Sequence, residues 1–401
     1  MIRFGLIAEG KYPPDRRVVL TPDACASLLN YPGVEIYVAP SVHRAFPDSA
    51  YAEVGAILQE DLSVCDVLLG VKEVPIEQLI PGKKYFFFSH TIKKQSYNRA
   101  LLQAILAQGI SLFDHEVIVD QNGQRLVAFG YYAGVVGAYH AIRTYGLKHG
   151  LFELAKPSDL ADINALKNVL REINLPPVKI VLTGKGRVGS GAAEVLDAMG
   201  LPCVDPEDFL VNEYPHAVYT AIDVCSYVQL SPGSTVDKQH FFAHPELYAN
   251  NFFRWAAVSD LFIAGHYYGK GAPMMLDVND LKDPSLKISV IADISCDIGA
   301  PIASTLRSST ISDPIYGVNP RDMAECDWRR EDALAVMAVD NLPCEVPVDA
   351  SSGFSIAFSK YVLPAFFDGD QSGVLARAQI TTADGKLTPR FSYLEEYVAG
   401  K

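Results

Sequence analysis

The sequence predicts an α/β protein with two Rossmann-like domains, each a parallel sheet flanked by helices, and an active-site cleft between them. Over about the first 125 residues, short apolar runs alternate with helical patterns. A glycine-rich turn at residues 184–189 then lies between another apolar run and another helical pattern. Further apolar runs follow that turn, which is typical of a second domain built from βαβ units.

The elements of the first domain follow one another in regular order. Helical patterns cover Pro22 to about Leu29 and Gln95 to Gln108, and the strand patterns are IRFGLIA, VEIYVAP, DVLLGV, YFFFS and ISLFDHE. The stretch VIVDQNGQRLVAF predicts a hairpin that turns at Asn122-Gly123. After it, FGYYAGVVGAYHAIRTYGLKHG predicts a long buried helix whose small residues allow close helix packing.

The second series of strands begins after a polar helical segment, Ser158 to Ile173, and the helix breaker Pro176-Pro177. Its strand patterns are VKIVLT, HAVYTAIDVCS, LFIAG and KISVIADIS, and SSGFSIAFSKYVLPAFF near the C-terminus is again helical. A long helix leaving the first domain and a helix at the C-terminus predict that one domain is inserted into the other. We therefore expect a substrate and catalytic domain at residues 1–128 plus 340–401 and an NAD-binding domain at residues 129–339.

Composition and charge narrow the classes of function. The chain has 401 residues and a net charge of −13, which disfavours nucleic acid and anionic membranes as partners. No apolar run approaches the roughly 20 residues of a membrane span, and the N-terminus does not resemble a signal peptide. The seven cysteines have no CxxC spacing, so neither a disulfide framework nor a metal site is expected. We expect a cytoplasmic protein with a small-molecule substrate; whether it is a monomer or a homo-oligomer stays open.

Two ionisable residues follow apolar strand patterns in the stretch DVLLGVKEVPIEQLIPGKKYFFFSH. Lys72 follows the first run and His90 the second. Because ligands bind outside the carboxyl ends of parallel strands, the two residues are a candidate acid/base pair. A lysine just past a strand is more often a solvated loop residue. Other segments of the chain are therefore needed to distinguish a catalytic lysine from a solvated one.

The glycine-rich turn has the context that the dinucleotide fingerprint GxGxxG requires. Gly184, Gly186 and Gly189 follow the strand pattern VKIVLT and open the helical pattern SGAAEVLDAM. The first glycine makes the tight turn, the second admits the pyrophosphate, and the third lets the helix pack on the strand. Backbone N–H groups at the start of the helix then hold the phosphate charge. A purely structural strand–turn–helix is the alternative.

An acidic residue after the next predicted strand, LPCV, is the candidate contact of the adenosine ribose. Asp205 stands there, and a carboxylate at that position would favour NAD over NADP because it repels a 2′-phosphate. Glu207 and Asp208 stand close enough to take its role.

Several segments together resemble the alanine dehydrogenase/transhydrogenase-like superfamily, and within it saccharopine dehydrogenase (lysine-forming) and the lysine–2-oxoglutarate reductases. AEGKYPPDRRVVLTP is similar to the family's opening motif, FDHEVIVDQNGQRLVAFGYYAG to a saccharopine dehydrogenase segment, TGKGRVGSGAAEVL to the nucleotide turn, and ADISCD with SSTISDPIYG to a later strand and loop. The resemblance spans most of residues 1 to 370. It implies an NAD-dependent oxidoreductase acting on a C–N bond, which converts saccharopine, NAD and water reversibly into lysine, 2-oxoglutarate and NADH.

The resemblance also implies roles for individual residues. Lys72 and His90 match the family's catalytic pair, and two bases suit a reaction that must deprotonate an amine and then hydrate and split an imine. The residues it assigns to the substrate are Lys11, Arg17 and Arg125 for its carboxylates, Glu116 near its amines, and Phe129. Those it assigns to the cofactor are Gly184, Gly186, Arg187, Val188, Gly189, Asp205 and Asp293.

Some alternatives stay open at this level. Either Arg16 or Arg17 is expected to be merely solvated, Glu116 can be a surface charge, and Asp293 can cap a turn together with Ser295 and Asp297. The loop HYYGKGAPMMLDVNDL is less like the family and can reshape the substrate pocket. An alanine dehydrogenase-like or other opine-type enzyme is the second hypothesis for function, and a non-catalytic nucleotide-binding protein the third.

Overall fold

The computed structural model describes residues 1–12, 14–230 and 235–400, and the chain divides into two compact units. Unit 1 comprises Met1–Phe129 and Pro347–Lys401, and unit 2 comprises Gly130–Val346. The chain therefore leaves unit 1 once and returns to it. The sequence predicts this return near residue 340, whereas in the structure it lies at Pro347.

The N-terminal part of unit 1 forms a sheet in which every strand pair is parallel, in the order β3-β2-β1-β4-β5-β6. Strands β4 and β6 are buried along their whole length, as expected when helices cover both faces. The elements are β1 (Ile2–Leu6), α1 (Pro22–Leu29), β2 (Val34–Val38), α2 (Asp48–Glu53), β3 (Ile57–Leu58), β4 (Val67–Leu69), β5 (Lys84–Phe87), α3 (Arg99–Ala107) and β6 (Ser111–Asp114).

Local chemistry explains why α1 begins where the sequence predicts. Thr21 has an extended backbone and its side chain accepts a hydrogen bond from the Ala24 backbone N–H at 3.3 Å, while Pro22 occupies the first helical turn.

The hairpin predicted around Asn122-Gly123 is present, but it is shorter than expected. Val119 and Arg125 make a single antiparallel bridge, and Gly123 takes the left-handed conformation that its turn requires, with φ +79°.

Unit 2 contains a sheet in the order β14-β13-β15-β12-β11-β7-β8 and a separate antiparallel pair, β9 with β10. The helices are α4 (Gly130–Lys148), α5 (Ile163–Arg171), α6 (Arg187–Ala198), α7 (Pro206–Val211), α8 (Val224–Tyr227), α9 (Lys238–Ala243), α10 (Phe253–Ala256) and α11 (Val278–Lys282). The strands are β7 (Lys179–Thr183), β8 (Val218–Ile222), β9 (Val228–Gln229), β10 (Ala249–Asn250), β11 (Leu261–Ala264), β12 (Val290–Asp293), β13 (Ile315–Val318), β14 (Glu325–Cys326) and β15 (Leu334–Met337).

The α/β class predicted from the sequence is confirmed, but the sheet of unit 2 is mixed rather than wholly parallel. Strands β8, β7, β11, β12 and β15 are parallel, whereas β13 runs antiparallel to both β15 and β14. The connection 319–324 between β13 and β14 is too short for a parallel crossover, which needs a dozen or more residues. These short strands were not predicted from the sequence.

Glycines of α4 bring this long buried helix close to α6. A Cβ atom built at Gly134 would collide with the Val188 carbonyl oxygen, and one at Gly191 with the Tyr131 carbonyl oxygen. No side chain larger than hydrogen fits at either position without moving a backbone. The small residues of α4 therefore serve helix packing and hold the start of α6 in place.

The C-terminal segment returns to unit 1 and completes its core. It comprises α12 (Pro347–Tyr361), α13 (Val374–Ala378) and α14 (Glu395–Val398). Ser351 and Ser355 of α12 accept hydrogen bonds from the backbone N–H groups of Val18 and Thr21, at 2.9 and 3.1 Å. Farther along, the Ile380 N–H donates to the carbonyl of Leu112 in β6 at 2.8 Å. These bonds join a late segment of the chain to the sheet formed by its first 114 residues.

Among residues 1–12, 14–230 and 235–400, no helix has both the length and the apolar composition that crossing a membrane requires. Over the same ranges, no group of three or more His, Cys, Asp or Glu side chains is arranged to hold a metal ion.

Candidate active site

Four ionisable residues of unit 1 follow neighbouring parallel strands at the same edge of the sheet. Glu9 comes after β1, Lys72 after β4, His90 after β5 and Glu116 after β6. The four strands are adjacent in the order β1-β4-β5-β6. The topology therefore gathers these residues at the edge where α/β sheets bind their ligands.

His90 lies between two carboxylates. Its Nε2 is 3.7 Å from Glu73 Oε1, and its Nδ1 is 3.4 Å from Glu116 Oε2. The backbone of His90 is left-handed, with φ 55°, a conformation that costs free energy for a residue with a Cβ and that clusters at functional sites. Its ring also stacks on Phe88, with 6.2 Å between the ring centroids. The imidazole thus lies between the two acids with its ring stacked on Phe88.

Cations surround Glu116 and keep it ionised. Burial by itself would raise the pKa of its carboxyl, but contact with His90 and the charges of Lys93 and Arg125 lower it to about 2. Lys93 Nζ lies 3.3 Å from Glu116 Oε1. Because Glu116 is partly buried and paired, it is not the exposed surface charge that the sequence left open. At neutral pH it presents a fixed negative charge to His90.

A partly buried acid that was not selected from the sequence, Glu9, holds the backbone at Lys72. The carboxylate of Glu9 accepts hydrogen bonds from the backbone N–H groups of Val71 and Lys72, at 2.6 and 2.9 Å. Glu9, Lys72 and Glu73 line one shallow pocket. Since Glu73 also reaches His90, the two predicted catalytic residues share a neighbour, and the structure brings them to one site.

Arg17 is buried and paired with Asp15. Its Nη2 lies 2.6 Å from Asp15 Oδ2 and its Nε lies 3.0 Å from Asp15 Oδ1, which is a bidentate contact. Burial of Asp15 acts in the opposite direction, but Arg17 lowers the pKa of that carboxyl to about 2. Arg16 is exposed, so it is the solvated member of the adjacent pair. Arg17 thus already pairs with a carboxylate of the chain itself, and its assignment to a substrate carboxylate stays a prediction.

The other predicted substrate residues also lie in unit 1. Lys11 is exposed, and its Nζ is 3.3 Å from Glu73 Oε2. Arg125 is half-buried, with its guanidinium carbon 5.7 Å from the centre of the Phe88 ring that stacks on His90. Phe129 is buried beneath Arg17, whose guanidinium carbon is 4.2 Å from its ring centre. Phe129 therefore positions Arg17 from below, as a packed side chain.

In unit 2 the glycine-rich turn has the geometry of a phosphate-binding turn. Gly184 has φ +92°, and a Cβ atom on Gly189 would collide with the Gly184 carbonyl oxygen. At Gly186, which caps α6, a Cβ would meet no atom within 4 Å. Lys185, Gly186 and Arg187 are exposed. The turn is thus closed by its outer glycines and open at the middle one, where a ligand would approach the backbone.

The structure separates Asp205 from this turn. Cys203, in the predicted strand LPCV, makes a single bridge to Tyr219 on the outer side of β8, and Asp205 is an exposed cap that accepts a hydrogen bond from the Glu207 N–H. Strand β8, not LPCV, lies beside β7, and Asp223 follows it directly. The Gly184 N–H donates to the Ile222 carbonyl at 2.8 Å, which places Asp223 beside the turn. Asp223, and not Asp205, therefore follows the strand next to the glycine turn, and which acid contacts a ribose stays a prediction.

Asp293, at the end of β12, is buried and capped. One of its oxygens accepts a hydrogen bond from Thr305 Oγ1 at 2.7 Å, and the other accepts one from Ser295 Oγ at 2.7 Å. Burial raises the pKa of its carboxyl, although these hydrogen bonds oppose the rise. This geometry favours the turn-capping alternative over direct contact with a cofactor. Val188, another residue predicted to contact the cofactor, packs its backbone carbonyl against Gly134.

Known proteins with similar sequence or structure agree with this arrangement. Residues 5–136 match the family described as "Alanine dehydrogenase/PNT, N-terminal domain". Residues 5–136 are therefore similar to the N-terminal domain of that family. This segment, called the alanine dehydrogenase/PNT domain below after the match, contains every acid, base and cation of the site in unit 1, and the resemblance predicted from the sequence is confirmed.

Relatives extend the likeness beyond the alanine dehydrogenase/PNT domain. "Alpha-aminoadipic semialdehyde synthase" of Arabidopsis thaliana is 32% identical over 97% of the chain but only 41% of its own length. "Saccharopine dehydrogenase [NAD(+), L-lysine-forming]" of Yarrowia lipolytica is 26% identical over 89% of the chain and 90% of its own length. The structure of an L-alanine dehydrogenase has the same fold, with a TM-score of 0.69, 17% identity and coverage of 99% of this chain and 100% of its own. The chain thus spans less than half the length of the semialdehyde synthases it matches.

Several residues of the site were not selected from the sequence. Glu9 and Glu73 line the pocket of Lys72, Lys93 pairs with Glu116, and Asp223 stands beside the glycine turn. Glu73 could have been found as the direct neighbour of Lys72, and Glu9 as the acid that follows the first strand of the alanine dehydrogenase/PNT domain. Asp223 had no comparable signal, because its role depends on which strand lies beside β7.

Replacing Glu9 by Gln should change how stability depends on pH. Burial, and secondarily the charge of Asp15, raises the pKa of Glu9 to about 7. Ionising Glu9 in the folded protein therefore opposes folding, so its favourable contribution is complete below the unfolded pKa of about 4.3 and is lost as the pH rises towards 7. We expect the wild type to lose on the order of 3 kcal/mol relative to Glu9→Gln across that range, measured as unfolding free energy in urea. Parallel pH profiles of the two proteins would contradict this expectation.

Proposed function

We propose that the chain is an NAD-dependent oxidoreductase that acts on the C–N bond of an amino acid, with saccharopine as its substrate. The observation that carries the proposal is the arrangement of Lys72 and His90 with Glu73 and Glu116 at one sheet edge of an alanine dehydrogenase/PNT domain. Similarity to saccharopine dehydrogenases over most of both chains supports the substrate.

In this proposal Lys72 and His90 carry the protons. Oxidation of the C–N bond requires a neutral amine, so one base must first remove a proton from the substrate nitrogen. Water must then lose a proton as it adds to the imine, and the leaving amine must gain one. Glu73 and Glu116 flank His90 and lie close to any proton that its imidazole carries. The acids thus orient the base and do not themselves react.

The charges of unit 1 suit a substrate that carries several carboxylates and amines. Lys11, Lys93 and Arg125 provide positive charge, and Glu73 and Glu116 provide negative charge beside the proposed bases. Saccharopine has three carboxylates and two amino groups, so it needs both kinds of partner. Alanine has a single carboxylate and a single amine, so it could pair with only a few of these charged side chains.

The glycine turn of unit 2 fits a dinucleotide. Gly186 leaves space for the pyrophosphate, the N–H groups at the start of α6 face it, and Asp223 stands where the ribose hydroxyls need an acceptor. NAD bound there would supply the oxidant by accepting a hydride from the carbon of the C–N bond. Lys185 and Arg187, both exposed, can add positive charge near the phosphates.

Cofactor selectivity should depend on Asp223 and not on Asp205. The Asp223 carboxylate would repel the 2′-phosphate of NADP, so Asp223→Ala should narrow the preference for NAD by roughly 10-fold or more, as expected for one charge-assisted contact. Asp205→Ala is the matched control, because Asp205 only caps α7, and it should leave the preference unchanged. Dissociation constants of NADH and NADPH, from fluorescence titration, test this. A larger effect of Asp205→Ala would restore the original assignment.

An initial-rate screen tests the proposed function. NADH oxidation is followed with lysine plus 2-oxoglutarate, with pyruvate plus ammonia, and with cofactor alone. Activity with the first pair supports saccharopine chemistry. Activity with the second pair alone would favour an alanine dehydrogenase-like enzyme, which the match to the alanine dehydrogenase/PNT family keeps as the alternative. NADH binding without activity on any pair would leave a non-catalytic nucleotide-binding protein.

In this proposal the partners are the cofactor and an amino-acid or 2-oxo-acid substrate. The cytoplasmic location stays a prediction, and it differs from that of the rat relative named "Alpha-aminoadipic semialdehyde synthase, mitochondrial", which is 28% identical.

A further inference from the structure

A buried histidine lies next to the candidate active site of unit 1 and takes no part in the chemistry proposed above. His115 follows β6 directly, between Asp114, the last residue of that strand, and Glu116. Its side chain is fully buried, so it cannot touch a substrate. Burying a polar ring without hydrogen bonds costs free energy, so a partner for this imidazole is expected. Any role of His115 in the reaction must act through the residues that it contacts.

His115 donates a hydrogen bond to the segment that carries Lys72. Its Nε2 lies 2.9 Å from the carbonyl oxygen of Gly70, and a carbonyl oxygen can only accept. Burial lowers the pKa of His115 to about 3, so the ring is neutral at pH 7 and has a single N–H group. That N–H group must therefore be on Nε2. The bond joins the residue after β6 to the residue that follows β4 directly.

This bond reaches across a strand of the sheet. Strand β5 lies between β4 and β6, so β4 and β6 are not neighbours in the ladder of backbone hydrogen bonds. The side chain of His115 joins their ends directly. Lys72 stands two residues after Gly70, and Glu116 stands one residue after His115. The bond thus helps to set the spacing of a proposed base and a proposed acid on either side of His90.

Aromatic rings fix the plane of this imidazole. The rings of Phe88, Phe354 and Phe358 meet His115 edge to face, with 5.1, 5.1 and 5.7 Å between ring centroids. This is a favourable arrangement for pairs of aromatic rings. Phe88 also stacks on the ring of His90. The packed imidazole therefore keeps its N–H group in one direction and, through Phe88, supports the second proposed base.

The segment that carries Lys72 is held from the opposite side as well. Glu9 follows β1, which lies on the other side of β4 from β5 and β6, and it accepts hydrogen bonds from the backbone N–H groups of Val71 and Lys72. Glu9 thus holds two donors of the segment, whereas His115 holds its carbonyl at Gly70. Because the two groups bind different atoms, neither can replace the other. Loss of the His115 bond would let the segment turn about the bonds that remain.

We propose that His115 is a positioning residue of the active site, whose Nε2–H group, bonded to the Gly70 carbonyl, keeps Lys72 in place relative to His90. The inference rests on the proposed function, because Lys72 and His90 are the bases of that reaction. His115 itself exchanges no proton with the substrate, since it is fully buried. A displacement of reacting groups by about 1 Å can cost roughly 10²-fold in rate, so the loss of this bond should be measurable in kcat.

Two substitutions distinguish the N–H group of His115 from its ring. His115→Phe keeps an aromatic ring but has no donor, whereas His115→Gln has no ring but carries an amide Nε2 that can donate to the Gly70 carbonyl. With lysine plus 2-oxoglutarate, kcat should fall roughly 10- to 100-fold in His115→Phe and stay close to the wild-type value in His115→Gln. The Kd of NADH should be unchanged in both variants. A role in packing alone predicts the reverse order of kcat, because only Phe preserves the aromatic contacts.

Phe391→Leu is the matched control for a loss of core packing. Phe391 is buried in unit 1 and packs in the cluster of Tyr85 and Phe87, which alternate along β5 with Phe86 and Phe88 and so face the other side of the sheet. This variant should lower the midpoint of unfolding in urea while kcat per folded molecule stays unchanged. It therefore shows whether a loss of stability by itself changes the rate.

A measurement on the unaltered chain guards against a variant that does not fold. In ¹⁵N NMR spectra at pH 7, His115 should carry its proton on Nε2 and none on Nδ1, and a proton on Nδ1 would overturn the proposed bond. A normal kcat in His115→Phe, or a kcat as low in His115→Gln as in His115→Phe, would overturn the role of His115 alone. A wild type without activity on any of the substrate pairs would instead overturn the proposed function itself.

Discussion

Replacing Lys72 by Met, or His90 by Gln, should lower kcat by about 10²- to 10⁴-fold, the usual contribution of a general acid or base. Both residues lie at the sheet edge of unit 1 with Glu9, Glu73 and Glu116 around them. Affinity for NADH should stay nearly unchanged, because the glycine turn belongs to unit 2. Each variant should also lose the limb of the pH–rate profile that belongs to the base removed. Steady-state kinetics over a range of pH, with fluorescence titration of NADH, measures both effects.

Matched variants distinguish the loss of a catalytic group from a loss of folded protein. Lys84→Met removes an exposed lysine at the amino end of β5, and His43→Gln removes an exposed histidine of the same unit; both should retain full activity. If Lys72 and His90 share the same proton-transfer steps, the double variant should lose far less than the product of the single losses. A stable Lys72→Met protein with normal kcat would end the catalytic assignment of that residue.

Replacing Arg17 by Ala should destabilise the protein by about 3–5 kcal/mol, because it leaves the buried carboxylate of Asp15 without its partner. Arg17 and Asp15 are both almost fully buried, with side-chain exposures of 3% and 2%. Unfolding in urea at pH 7 measures the loss. The pKa of Asp15 is lowered to about 2, so the stability it contributes is present above its unfolded pKa of about 3.9 and is lost as the pH falls towards 2. The stability gap between wild type and Arg17→Ala should therefore narrow in acid.

Two further variants test the physical reason for this loss. Arg16→Ala removes the neighbouring exposed arginine and should change stability by no more than about 0.5 kcal/mol. Asp15→Ala combined with Arg17→Ala should recover part of the lost stability, because no unpaired buried charge remains. If Arg17→Ala is as stable as the wild type and raises only the KM for 2-oxoglutarate, Arg17 is a substrate clamp after all.

Arg125→Ala provides the contrasting case in the same unit. Arg125 is half-buried and lies over Phe88 near His90, where a substrate carboxylate is expected. Its loss should weaken substrate binding with little effect on stability. The contrast between the two arginines was not visible in the sequence, which treats both as equivalent carboxylate ligands.

Patterns with strong local chemistry were sufficient to predict much of the fold. Helix α1 was predicted with its observed limits because Thr21 and Pro22 mark its start, and the apolar runs before Lys72 and His90 form β4 and β5. The glycine spacing at residues 184–189 was enough to predict a closed turn at the start of α6. Short strands such as β13 and β14 lack any such signal, and their antiparallel pairing was missed.

The sequence by itself determined the α/β class, the discontinuous first unit and the types of residue at the strand ends, because alternation of apolar runs and capping chemistry are local properties. Only the tertiary structure decided which charges meet. It placed β8 beside β7, so that Asp223 and not Asp205 follows the strand next to the glycine turn, and it buried Arg17 against Asp15 while leaving Arg16 in solvent. Strand order and burial depend on contacts between residues far apart in the chain, and a single sequence does not record which distant side chains share a neighbour.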